Sequence, residues 1–81
     1  MSPASLVEAL RLAEQGDWHG AHGVVQQDEA DPLSCWIHAV LHRQNGDLGN
    51  ARYWYARCGR RLREHLSAEA ELAEIRAAIK G

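Results

Sequence analysis

Apolar residues recur along this chain at three- and four-residue intervals, the spacing of one face of an α-helix. Leu6, Leu10 and Ala13 form a first stripe, with Val7 beside them. Trp18, Ala21, Val24 and Val25 form a second. Leu33, Trp36, Ile37, Val40 and Leu41, with Gln44, form a third. A fourth runs through Leu48, Ala51, Tyr55, Cys58 and Leu62 towards Leu66, and a fifth through Ala68, Leu72, Ile75 and Ile79. No segment alternates with period two over a useful length, so no strand is predicted. The breaks between stripes carry helix-terminal chemistry. Ser2 precedes Pro3, Asp31 precedes Pro32, and Ser67 precedes the last stripe. Each is an N-cap side chain, twice with proline in the first helical position. Gly16–Asp17 and Gly46–Asp47 each supply a stop followed by a cap. Glu69, Glu71 and Glu74 are expected near the positive end of the fifth helix. Two places are weaker. Gly20 and Gly23 lie inside the second stripe, and each costs about 0.8–1 kcal/mol against alanine. Either another helix packs closely against them or the second helix is short and irregular. Gly59 predicts an end or a bend in the fourth.

Sliding the chain over itself by 30 residues superposes Glu14-Gln15-Gly16-Asp17-Trp18-x-x-Ala21 on Gln44-Asn45-Gly46-Asp47-Leu48-x-x-Ala51. The same design occurs twice: a glycine for the left-handed turn, an aspartate cap, an apolar seal, and an alanine where two helices cross closely. Gly16, Asp17, Trp18 and Ala21, and then Gly46, Asp47, Leu48 and Ala51, resemble the turn of tetratricopeptide (TPR) repeats. Asp31–Pro32 falls near the place of that family's inter-repeat proline, and Trp36 near its next-repeat tryptophan. The spacing is 30 rather than 34 residues, and the Gly-x-x-Tyr of the family's first helix is absent. The resemblance covers roughly residues 5–60. It implies an all-α, single-domain fold over residues 1–81: a TPR-like antiparallel hairpin at about 3–28, a second at about 31–60, and a C-terminal capping helix at about 67–80. It also implies a scaffold for protein or peptide contacts. The string GDLGNARYWYARCGR, in addition, resembles a signature of small uncharacterised bacterial proteins, a likeness that implies no activity.

Size and charge restrict the functions open to such a scaffold. A chain of 81 residues buries only roughly 60–65% of its unfolded surface. Its core is thin, and homodimer formation would strengthen it. Residues 1–40 hold one base, Arg11, against six acids, whereas residues 41–81 hold eight bases against five acids. Such asymmetry steers partners or favours head-to-tail contact. A pI near 6.2 weighs against a dedicated nucleic-acid binder. Cys35 and Cys58 form no CxxC pair, and free thiols fit a reducing compartment. The N-terminal residues lack the basic and apolar regions of a signal peptide, and no stretch approaches the length of a membrane span. The expected location is the bacterial cytoplasm.

Two constellations carry candidate chemistry. The first is the segment from Tyr53 to Arg63, with three of the five aromatic residues and five arginines from Arg52 onward without an acid. Tyr, Trp and Arg dominate interface hot spots. Tyr53, Trp54, Arg57, Arg60 and Arg61 are therefore the expected partner-binding residues, for a protein or a peptide. The bland alternative packs the aromatics on the first hairpin or the last helix and leaves the arginines to solvent. A nucleic-acid reading of the same 52–63 cluster rests on aromatics that stack bases and arginines that neutralise phosphates, without an RRM, KH, OB or zinc-finger pattern. The second constellation is Cys35, His38 and His42, whose C-x-x-H-x-x-x-H spacing offers three metal ligands from one helix face. A fourth ligand would have to come from elsewhere, and the alternative is that this face packs on the second helix or meets water. No catalytic triad order, nucleophile elbow, phosphate loop or dinucleotide fingerprint is present. The sequence therefore predicts a non-enzymatic protein without a cofactor.

Overall fold

A computed structural model describes residues 1–81, and it contains five α-helices and no strand: α1 (Pro3–Glu14), α2 (Trp18–Val25), α3 (Pro32–Gln44), α4 (Leu48–Arg57) and α5 (Ala68–Lys80). Each helix begins where a short polar side chain caps it. Ser2 accepts from the Ser5 amide, Asp17 from Gly20, Asp31 from Leu33 and Ser34, Asp47 from Asn50, and Ser67 from Ala70.

The turns after α1 and α3 are built identically. Gly16 and Gly46 adopt φ of 82° and 77°, the left-handed conformation that costs a residue with a Cβ about 1–2 kcal/mol. Their amides bond back to Ala13 and Arg43, while the amides of Asp17 and Asp47 reach Leu12 and His42. This is the double hydrogen bond of a Schellman closure. Each aspartate thus finishes one helix with its backbone and starts the next with its side chain. The same closure ends α4, where Gly59 bonds to Ala56 and Arg60 to Tyr55. The fourth helix therefore stops at Arg57, and Leu62 and Leu66, expected on its stripe, lie in the loop that follows.

α3 is the centre of the molecule. It packs against α4, α5, α2 and α1, and every residue from Ser34 to His42 is buried. A helix surrounded on all sides needs more than one apolar stripe, so Ala39, His38 and His42 are buried as well as the expected Ile37, Val40 and Leu41. Ala21 and Ala51 are fully buried in the two hairpins. α5 lies across α3 and α1, the first helices of both hairpins, and does not pack along α4. That placement explains one departure from expectation. Trp18 ties its hairpin to the next by donating its indole N–H to the Leu41 carbonyl of α3, whereas Leu48, its counterpart, has no following helix to meet and stays 40% exposed. Gly23 has nothing near its missing Cβ, and the three atoms nearest a Cβ on Gly20 would all belong to the Asp17 cap. No helix approaches there, and α2 is simply short. No helix is long and apolar enough to cross a membrane.

Candidate functional sites

The arginine–aromatic segment is divided by the end of α4. Tyr53 points outward and is 54% exposed, and Arg57 donates to its hydroxyl at 3.2 Å. The Arg57 guanidinium also lies 4.9 Å from the Trp54 ring centroid. Trp54 itself is 8% exposed, its ring stacked on His38 at 3.8 Å, so it supports the surface from beneath rather than forming it. The reason is register: Trp54 faces α3 together with Tyr55 and Ala51.

Beyond the Schellman turn the chain redirects. The Arg60 guanidinium sits over the indole of Trp36, 3.4 Å from the ring centroid. Arg60 and Arg61 line two adjoining shallow cavities: one of about 340 Å³ with Trp36, Arg63 and Glu71, the other of about 270 Å³ with Arg52, Tyr55 and Leu62. Arg57 instead faces a third cavity beside Cys35, Cys58 and Glu29. The five residues expected to form one surface are thus distributed around the C-terminal end of α4. Carboxylates pair with Arg43, Arg52, Arg63 and Arg76, yet none pairs with Arg60 or Arg61.

Beneath Arg60 and Arg61 lies a polar cluster that the sequence reading missed. Glu71 is 1% exposed. Its carboxylate accepts from the Trp36 indole at 2.8 Å, from Arg43 at 2.8 Å and from the Tyr55 hydroxyl at 2.7 Å. Arg43 also donates to the Leu66 carbonyl, which fixes the loop leading to α5. Burial, then the bond to Glu71, raises the Tyr55 phenol above its ordinary range. Tyr55 therefore remains a donor to Glu71, and the network joins α3, α4 and α5.

The metal-ligand set expected on α3 is not the one that converges. The Cys35 thiol donates to the Trp54 carbonyl at 3.3 Å, and burial, followed by the neighbouring Cys58 thiol, pushes it up to about 12. It is a protonated core thiol. His38 and His42 meet His22 of α2 instead, and one ring nitrogen from each lies within 4.8 Å of the other two. The Nε2 atoms of His22 and His38 are 3.1 Å apart. Trp18 stacks on His22 with ring centroids 4.5 Å apart, and Trp54 stacks on His38 from the other side. Burial, then the neighbouring His22 and His42, lowers His38 to about 3. Burial also lowers His22 and His42. The three imidazoles are neutral at physiological pH.

No protein-family model, curated protein or solved structure matches the chain.

Proposed function

We propose that this chain is a non-enzymatic interaction module, a pair of TPR-like hairpins that holds an acidic segment of a protein or peptide against the C-terminal end of α4 and the loop after it. The observation that supports this reading is the pairing state of the arginines. Arg60 and Arg61 are exposed, line adjoining cavities, and have no carboxylate partner, although the same chain pairs Arg43, Arg52, Arg63 and Arg76 internally. A guanidinium offers a planar fork of donors that matches a carboxylate. Arg60 is pre-positioned by the Gly59 turn and by the Trp36 ring beneath it, so little side-chain freedom is lost on binding. Tyr53 and Arg57 extend the surface along α4. The shallow cavities suit side-chain carboxylates on an extended segment better than a small molecule, which is commonly buried over 70–90% of its surface.

The test is fluorescence anisotropy with labelled glutamate-rich peptides and their glutamine-substituted counterparts. Acidic peptides should bind and the neutral ones should not. The Arg60→Glu/Arg61→Glu variant should bind at least about tenfold more weakly, a change of about 1.4 kcal/mol. Equal binding by that variant, or by the glutamine peptides, overturns the reading. A comparable affinity for generic DNA and RNA, falling steeply with salt, would identify a phosphate binder instead.

A further inference from the structure

We propose that His22, His38 and His42 form a three-histidine site for a divalent transition-metal ion of the zinc class, with a fourth coordination position left to a ligand from outside the chain. This inference is independent of the arginine surface, from which it differs in residues and in chemistry.

The geometry is close to what such an ion requires. Two imidazole nitrogens bound to one tetrahedral zinc at about 2.0–2.1 Å each are separated by roughly 3.3 Å. His22 and His38 already present their Nε2 atoms 3.1 Å apart. The third nitrogen lies within 4.8 Å of both. Binding requires the His42 nitrogen to move towards the other two, and the torsion about its Cβ–Cγ bond has a broad energy profile. The ligands come from two elements: His38 and His42 sit one turn apart on α3, and His22 is brought across by the packing of α2 on α3.

The polar accounting points the same way. Each imidazole has two ring nitrogens that ordinarily find partners when buried. The three rings share a single hydrogen bond, His22 to His38. His38 Nδ1 is the one buried side-chain polar atom in the molecule without a partner. Such a group costs free energy in the interior, and three apolar side chains would fill the space without that cost. An ion held by the Nε2 atoms of His22 and His38 would take up the lone pairs that now share that one hydrogen bond, while His38 Nδ1 would stay without a partner.

The surroundings hold the rings in place. Trp18 stacks flat on His22 with 12° between the planes, and Trp54 on His38 with 16°. Orientation therefore comes from aromatic packing, where metal-bound histidines more often use a hydrogen bond to a carboxylate or carbonyl. His22 is only partly buried, so the site opens to solvent on the α2 side. Three neutral ligands leave the full charge on a dication, so the fourth position favours an anionic donor such as hydroxide or a carboxylate.

The experiment uses full-length protein, purified without a histidine tag and stripped with a chelator. Cobalt(II) is titrated in as a spectroscopic probe and then displaced with zinc. The expected result is one equivalent of cobalt, with the intense visible absorption of a four-coordinate ion, lost on adding one equivalent of zinc. His22→Gln and His42→Gln should each abolish that absorption, with helical circular dichroism retained. Cys35→Ser and His19→Gln should leave it unchanged. Absence of stoichiometric binding overturns the proposal. So does cobalt binding that survives His22→Gln, or that is lost in Cys35→Ser, since either result would place the ion on another ligand set.

Discussion

Glu71 is held in the interior by three donors from three distant positions, Trp36, Arg43 and Tyr55. Removing a partner from a buried ion pair leaves an uncompensated charge, which costs about 3–5 kcal/mol. Glu71→Ala strands Arg43 and two neutral donors together and should lose an amount in that range in urea unfolding at neutral pH. Tyr55→Phe removes one bond to a charged acceptor and should lose about 1.5–3 kcal/mol. A loss below about 1 kcal/mol for Glu71→Ala would mean that water already reaches the cluster. The burial of Glu71 was within reach of the sequence: it stands three residues after Ala68 and four before Ile75, in the middle of the fifth apolar stripe. A glutamate in a first helical turn is normally explained by the helix dipole, and that explanation hid the pattern. His22 was hidden differently. The helical wheel of α3 places Cys35 beside His38 and His42, and only the packing of α2 on α3 reveals that His22 reaches them and Cys35 turns to α4.

At the scale of elements, the glycines separate into those that the fold requires and those that it tolerates. Gly46 has φ of 77°, and its turn sets the angle between α3 and α4. Gly46→Ala should cost about 1–2 kcal/mol through the left-handed conformation alone. Gly23 lies inside α2 with open space around it. Gly23→Ala should stabilise by about 0.5–1 kcal/mol through helix propensity and a less flexible unfolded chain. For a domain of this size, 1 kcal/mol moves the melting temperature by about 4–8 °C, so calorimetry should resolve shifts of opposite sign. Gly20→Ala should gain less than Gly23→Ala, because its Cβ would lie 2.5 Å from Asp17 Oδ2 and displace the cap of α2. Helix starts were the most legible part of this chain, since caps and proline act within a few residues of where they stand. The end of α4 was ambiguous because the apolar spacing continues through Leu62 after the backbone has turned at Gly59. Those apolar side chains are used in the loop, where Cys58 and Leu62 pack against the core.

For the molecule as a whole, the histidines make stability depend on pH. α3 touches every other helix, and its buried face contains two of the three clustered imidazoles. Burial, then His22, His42 and Arg57, holds His38 at about 3 in the folded chain, against an ordinary value of 6.5. Above about pH 6.5 neither the folded nor the unfolded chain protonates this group, and it leaves stability unaffected. As pH falls below that value the unfolded chain gains a proton that the folded chain refuses, so stability drops until about pH 3. One such proton gives a slope of about 1.4 kcal/mol per pH unit. His22 and His42, also lowered by burial, add to it in the same direction. The depressed carboxylates act below their ordinary values, 3.8 for Asp28 and Asp31 and 4.5 for Glu74, so the interval between about pH 6.5 and 5 isolates the imidazoles. Urea midpoints of chelator-treated protein should therefore fall across that interval, and His38→Leu should flatten the curve. A profile that is level from neutral pH to about pH 5 would contradict neutral, buried imidazoles at the centre of the fold. The dependence arises because the packing that gives this small chain its core also encloses imidazoles that the unfolded chain would protonate below about pH 6.5, and acid acts on both together.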